Sequence, residues 1–177
     1  MVLRCLFYTF ITLRKINYIE MELEGKKFTI RSNHFKDVFL FVDGDLNTTC
    51  ESSKLISPTQ FMLEYHANGM VSIVTGQDKK KKAYMSMSNI NDKKRQPEGF
   101  GDITFKYCQK RDALMCERFF LIALGENRYA LESGYKARAY LRMEGWRGDV
   151  TKGKVNFQYC PEGINDFEQL VIDCNVE

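Results

Sequence analysis

The chain has 177 residues, 44% hydrophobic and 28% charged, with three prolines, which places it among globular domains and excludes a low-complexity or collagen-like chain. That length closes one hydrophobic core without disulfides or metal and leaves little for a second domain. A formal net charge of +3 is too mild to dictate a nucleic-acid partner, though it permits a weakly basic face.

Residues 1–25 read as an N-terminal extension or pro-segment ahead of one domain over 26–177. The apolar run CLFYTFITL has Arg4 before it and Arg14-Lys15 after it. It is shorter than the about 20 apolar residues a membrane span needs, and it lacks a small-x-small cleavage site. The expectation is a non-secretory extension and no membrane span.

From Phe28 onward the apolar residues come in short bursts: KFTIRS, DVFLFVDGD, FMLEYHANGMVSIVTG, KKAYMSMSN, DITFKYC, RFFLIALGEN, VNFQYC and DFEQLVIDC. Most are four to seven residues long and rich in Val, Ile, Phe, Tyr and Thr, the composition of strands. One stretch, YALESGYKARAYL at 129–141, has the composition of a helix. An internal repeat decides against that. One strand type runs Phe28-Thr29-Ile30, Val71-Ser72-Ile73 and Tyr129-Ala130-Leu131; a second Phe39-Leu40, Tyr84-Met85 and Tyr140-Leu141. A third ends at Cys50, Cys108 and Cys160, and a fourth opens at Phe61, Phe119 and Phe167. Residues 129–133 and 139–143 are therefore predicted as two strands, with Gly134 in the loop between them. Four strand types repeated three times predict an all-β fold, a β-trefoil of about twelve strands. The Phe, Tyr and Leu positions of the first, second and fourth types would fill its barrel. The variable loops, 78–82, 91–101 and 144–153, are the ordinary places for binding sites.

No catalytic constellation is legible: there is no G-x-S-x-G, no H-E-x-x-H and no phosphate loop. The expectation is a protein that is not an enzyme and holds no cofactor. His34 and His66 are expected at the surface, with no base-and-orienter partner. The six cysteines form no C-x-x-C pair, which argues against zinc and favours free thiols made in a reducing compartment. The three repeat-related cysteines are expected as small buried hydrophobes and Cys116 as the most oxidisable thiol. DKKKK and NDKKR are either a solvated face or a site for an acidic partner. Asn47-Thr48-Thr49 is a glycosylation sequon that matters only in the secretory pathway, and the Gln-x-Trp repeat of sugar-binding trefoils is absent.

The segments FTIRSNHFKDVFLFVDGD, NGMVSIVTG with AYMSMSN, ITFKYC, ERFFLIALGENRYALESGYKARAYLRMEG and INDFEQLVI resemble the interleukin-1 cytokine family, and most nearly its interleukin-18 branch. Leu131-Glu132-Ser133, a loop and Tyr140-Leu141 are similar to the family's Phe-x-Ser segment followed by an aromatic-Leu pair. The likeness is spread over about residues 26 to 172. It implies a signalling protein, monomeric when free, that binds an immunoglobulin-domain receptor and recruits an accessory chain to trigger immune and inflammatory responses. It also implies secretion by an unconventional route from a cytoplasmic precursor pool. By position the resemblance puts Arg31 and Asp37 on a first receptor face, Lys26 and an exposed Met70 on a second, and Lys93 and Glu117 where the accessory chain docks. Two features depart from the family: no Asp precedes Asp37 to serve as a caspase cleavage site, and Ala137 stands for the usual loop Pro. The alternatives are an intracellular fascin-type trefoil that binds actin and a heparin-binding growth factor of the same fold. The basic runs lie in the second unit rather than the third, unlike the latter.

Overall fold

A computed structural model of the chain describes residues 23–54, 56–76, 82–88, 101–109, 113–144 and 152–174. Among these, twelve strands follow in three groups of four. The first unit holds β1 (Thr29–Ser32), β2 (Val38–Val42), β3 (Thr48–Ser52) and β4 (Phe61–Tyr65). The second holds β5 (Val71–Thr75), β6 (Ala83–Ser88), β7 (Gly101–Tyr107) and β8 (Phe119–Gly125). The third holds β9 (Arg128–Ser133), β10 (Ala139–Glu144), β11 (Lys152–Tyr159) and β12 (Leu170–Asp173). Short 3-10 turns at Met115–Glu117 and Asp166–Glu168 precede β8 and β12.

Six strands make a closed ring. β1 pairs with β12, β12 with β9, β9 with β8, β8 with β5 and β5 with β4, all antiparallel. The ring shuts where Phe28 and Phe61 exchange backbone hydrogen bonds of 2.9 and 2.8 Å. The remaining six strands form the hairpins β2–β3, β6–β7 and β10–β11, and β11 joins the other two by pairing with β3 and β7. The fold is a β-trefoil.

The first strand of each unit explains the repeat. Phe28-Thr29-Ile30, Val71-Ser72-Ile73 and Tyr129-Ala130-Leu131 are buried at every position. Alternate residues of a strand point to opposite faces. The large residues enter the central core, while the smaller Thr29, Ser72 and Ala130 face away from it. The stretch 129–141 is β9, a loop and β10; packing of Leu131 and Leu141 in the central core overrides its helical composition. Leu23 also packs in this core and Glu24 bridges to Leu63, so ordered structure is present ahead of Lys26.

Strand register corrects two parts of the expected repeat. Ser32 faces Leu170, Thr75 faces Phe61 and Ser133 faces Phe119, so the fourth-type residue of the last unit is Leu170 and not Phe167. DFEQLVI offers two apolar anchors three residues apart, and the 3-10 turn takes the first. Leu40 faces Cys50, Met85 faces Phe105 and Leu141 faces Phe157, so Cys50 matches these phenylalanines rather than Cys108 and Cys160. Cys50 is buried inside β3, beside Gly153 of β11. Cys160 is buried after β11, and Cys108 is half-buried after β7 against Val74, Tyr84 and Ala113.

Gly134 is required by close approach: its N–H donates to the Arg118 carbonyl at 2.8 Å, and a Cβ there would lie 2.5 Å from that oxygen. Gly134→Ala should therefore lower the unfolding free energy by about 1–3 kcal/mol, the range for overpacking a filled site, read from the urea midpoint at unchanged slope.

Candidate functional site

The loop from β1 to β2 is built by Ser32, whose Oγ accepts the Phe35 N–H at 3.1 Å, and closes as Val38 N–H donates to the Phe35 carbonyl at 3.0 Å. Short polar side chains that bond the backbone a few residues on are what such a turn needs. The loop joins two of the predicted receptor residues. Arg31 leaves β1 opposite Val171 and Phe39, and its Nε donates to Asp173 Oδ2 at 2.8 Å. Asp37 closes the loop, exposed, with Lys54 Nζ 3.9 Å away and its carbonyl accepting the Ser53 N–H at 2.9 Å. The two charged residues flank the β1–β2 loop, and each has an ion-pair partner.

The other predicted residues are not gathered with them. Lys26 is exposed ahead of β1, at the end of that strand away from Asp37. Met70 is corrected: it is 7% exposed, because the turn at Gly69 (φ 76°) drives the chain directly into β5, so it presents no apolar surface. Glu117 is corrected more sharply. It is 0% exposed and serves the fold. Lys93 lies outside the described residues, as do the N-terminal residues 1–22, Cys5 and most of the three variable loops.

Glu117 has a counterpart that sequence reading missed. One Glu117 oxygen accepts the Leu114 N–H at 2.7 Å; the other accepts Ser86 Oγ–H at 2.6 Å and meets Lys106 Nζ at 2.6 Å. Glu168 accepts the Asn165 N–H at 2.9 Å and Arg142 Nη1–H at 3.1 Å. Register makes Ser86 and Arg142 equivalent, so two carboxylates tie two hairpins to the barrel in the same way. Thr59 occupies the position in the first unit and accepts the Val42 N–H at 2.9 Å. The legible signal was a Glu two residues before a strand's first core residue in CERF and FEQL. The Glu117 bond, its largest cause, pushes the Lys106 ammonium above its ordinary value.

His34 is exposed, its ring 4.6 Å from Phe35 and 4.4 Å from Phe167 between centroids. Arg142 lies 4.8 Å over the other ring contact of that group, Phe167. His66 is half-buried rather than at the surface, 2.8 Å from Ser72 Oγ. Ser72 O–H donates to the Glu117 carbonyl at 2.7 Å, so His66 Nε2–H is the donor to Ser72. That polarity is the reverse of a nucleophile–base pair. Among the described residues no group of three His, Cys, Asp or Glu side chains converges to hold a metal, and no helix is long and apolar enough to cross a membrane. Cys116 is half-buried, and burial followed by Glu117 pushes its thiol up, which makes it less oxidisable than its sequence suggested.

No family model matches the chain, and no curated protein matches it. Solved structures do. The designed threefold symmetric protein ThreeFoil is 15% identical, with a TM-score of 0.62 over 83% of this chain and 97% of that one. A chicken IL-1 hydrophobic cavity mutant is 10% identical, with a TM-score of 0.58 over 85% of this chain and 96% of that one. The ligand binding domain of botulinum neurotoxin serotype D, in complex with N-acetylneuraminic acid, is 7% identical at a TM-score of 0.63; 86% of this chain matches 42% of that one. At these identities the shared property is the trefoil fold.

Glu117→Ala should cost about 3 kcal/mol of unfolding free energy, because Leu114 N–H and Ser86 Oγ lose their buried acceptor. Chemical denaturation checks it. Burial pushes the thiols of Cys50 and Cys160 from an ordinary 9.0 up to about 12 and about 11. A raised folded value means that their contribution is full below pH 9.0 and lost as pH rises through 11 to 12. Urea midpoints should fall across that window in the wild type and fall less in Cys50→Ala/Cys160→Ala. Both thiols should also resist iodoacetamide in the folded chain at about pH 8.

Proposed function

We propose that this chain is a cytokine of the interleukin-1 family, most similar to the interleukin-18 branch, that binds an immunoglobulin-domain receptor and recruits an accessory chain. The observation that supports this reading is the short β1–β2 loop of a single trefoil, flanked by Arg31 and Asp37, two residues of the family likeness, each with an ion-pair partner. The Asp173 bond uses one of the five N–H donors of Arg31 and restricts its long side chain before any partner arrives. Prior ordering of this kind lowers the entropy cost of association. Charges at such a rim chiefly steer encounter and select partners. Lys26 stands as a candidate for a second contact; Met70 and Glu117 act through the fold that holds the surface. The protein works by binding rather than by chemistry and is secreted by an unconventional route. Thiols kept neutral by burial, as at Cys50 and Cys160, suit a chain that folds in a reducing compartment.

Binding of the full chain to immunoglobulin-domain cytokine receptors, measured by surface plasmon resonance at moderate salt, tests the reading. Arg31→Glu should raise the dissociation constant at least tenfold, a loss of about 1.4 kcal/mol. Arg31→Glu/Asp173→Arg restores the ion pair with its sense reversed and should not restore affinity; recovery would assign the loss to the fold. Co-sedimentation with filamentous actin and no receptor binding would sink the cytokine reading.

A further inference from the structure

The β1–β2 and β9–β10 loops each pack on the 3-10 turn of the neighbouring unit with the same backbone hydrogen bond, yet the two junctions show opposite chemistry to solvent. Where the third unit meets the first, Asn33 N–H donates to the Gln169 carbonyl at 3.0 Å and Ser32 Oγ supports the loop. His34, exposed, packs its ring against Phe35 and Phe167, and the outer residues of the turn are the polar pair Asn165-Asp166. Where the second unit meets the third, Gly134 N–H donates to the Arg118 carbonyl at 2.8 Å and Ser133 Oγ supports the loop in the same way.

Register makes the substitutions explicit. Tyr135 stands for His34, Lys136 for Phe35, Cys116 for Phe167, and Leu114-Met115 for Asn165-Asp166. Neither aromatic neighbour of the ring is kept: Lys136 lies instead 5.0 Å over Tyr159. Leu114 is 66% exposed, Tyr135 50%, Met115 41% and Phe120 38%. The Gly134–Arg118 bond clamps the loop to the turn, and Phe120 follows Arg118 by two residues on the same face of its strand. Glu132, opposite Phe120, binds the Arg138 N–H. These contacts hold the exposed apolar side chains at one junction. One copy of the geometry folds with Asn and Asp at the outer turn, so the core does not demand Leu and Met in the other. Exposed apolar side chains on one turn, the strand that follows it and the loop bonded to it mark an interaction site.

The rim says what would cover it. Lys106, half-exposed, reaches the turn through its ion pair with Glu117, Lys136 and Arg138 belong to the loop, and half-buried Arg118 follows the turn. Of the nearby carboxylates, Glu117 is buried and paired with Lys106, and Glu132 accepts the Arg138 N–H, so among the described residues two carboxylates stand against four cations at the junction. We propose that this junction docks an acidic protein segment, which seats an apolar side chain among Leu114, Met115 and Tyr135 and sets carboxylates against Lys106, Arg118 and Lys136. A second copy fits poorly: a twofold contact joins the same patch on both copies and would bring one cationic rim against another. This docking site does not depend on the receptor reading, although its turn carries Glu117, which the family likeness set where the accessory chain docks.

Three synthetic peptides of about twelve residues sharing a Leu-Trp-Leu centre, flanked by Glu, by Ser or by Lys, test the site by fluorescence anisotropy with the full chain. The Glu-flanked peptide should bind at least tenfold more tightly than the Ser-flanked one, weaken with added salt, and outbind the Lys-flanked one further still. Leu114→Asn/Met115→Asp copies the other junction into this one; it should remove binding with the thermal midpoint unchanged. Equal affinity for the three peptides, or full binding by the double variant, overturns the proposal. A concentration-dependent dimer that the double variant abolishes, seen by sedimentation, would assign the face to a second copy and overturn it as well.

Discussion

Closure of the barrel between Phe28 and Phe61 is the contact on which the rest of the molecule depends. Their reciprocal backbone bonds join the first unit to itself, and both rings are fully buried with centroids 6.3 Å apart. Without that seam, β1 and β4 would each present an open sheet edge, which is a template for aggregation. With it, six strands share one core and every loop springs from a fixed base. Phe119 stacks on Phe157 at 5.3 Å, which carries the same core up into the hairpin cap.

Among the described residues only β11 links the three hairpins to one another by strand pairing, so they need further fastening. Glu117 and Glu168 supply part of it. A buried carboxylate is tolerable when its oxygens are fully engaged, and each of these takes a backbone N–H and cationic or hydroxyl donors from a hairpin. The arrangement also couples surface to core. The exposed rings and cations around the two 3-10 turns rest on side chains that have no exposure of their own.

Pseudo-threefold symmetry makes function separable from fold. Where one backbone recurs with different side chains, the shared residues are explained by folding and the differing ones are not. Ser32 and Ser133 recur because each loop needs an acceptor for its N–H groups. His34 and Tyr135, or Asp166 and Met115, differ where the barrel is indifferent. Surface chemistry at these positions is the part of the chain open to selection by a partner.

The fold class was legible in the sequence because burial in each unit's first strand leaves a local mark: three residues, all buried, at three places in the chain. Strand number, the β9–loop–β10 reading of YALESGYKARAYL and the position of the hairpins followed from that repeat. Register did not. FEQLVI holds two apolar anchors, and nothing local says whether Phe167 or Leu170 enters the core; pairing with Ser32 decides it. Cys50 likewise takes a phenylalanine's place only because β2 faces it with Leu40. The site was legible in part. Arg31 in β1 and Asp37 just before β2 are separated by one short loop, so their nearness along the chain could be read directly. Met70 and Glu117 have the residue types of a surface, but their burial arises from β5 meeting β8 and from a 3-10 turn closing under a hairpin 31 residues away in sequence. Sequence by itself determined the alternation, the repeat and the charges; tertiary structure decided which side chains water reaches, because exposure is a property of the partners that distant segments bring.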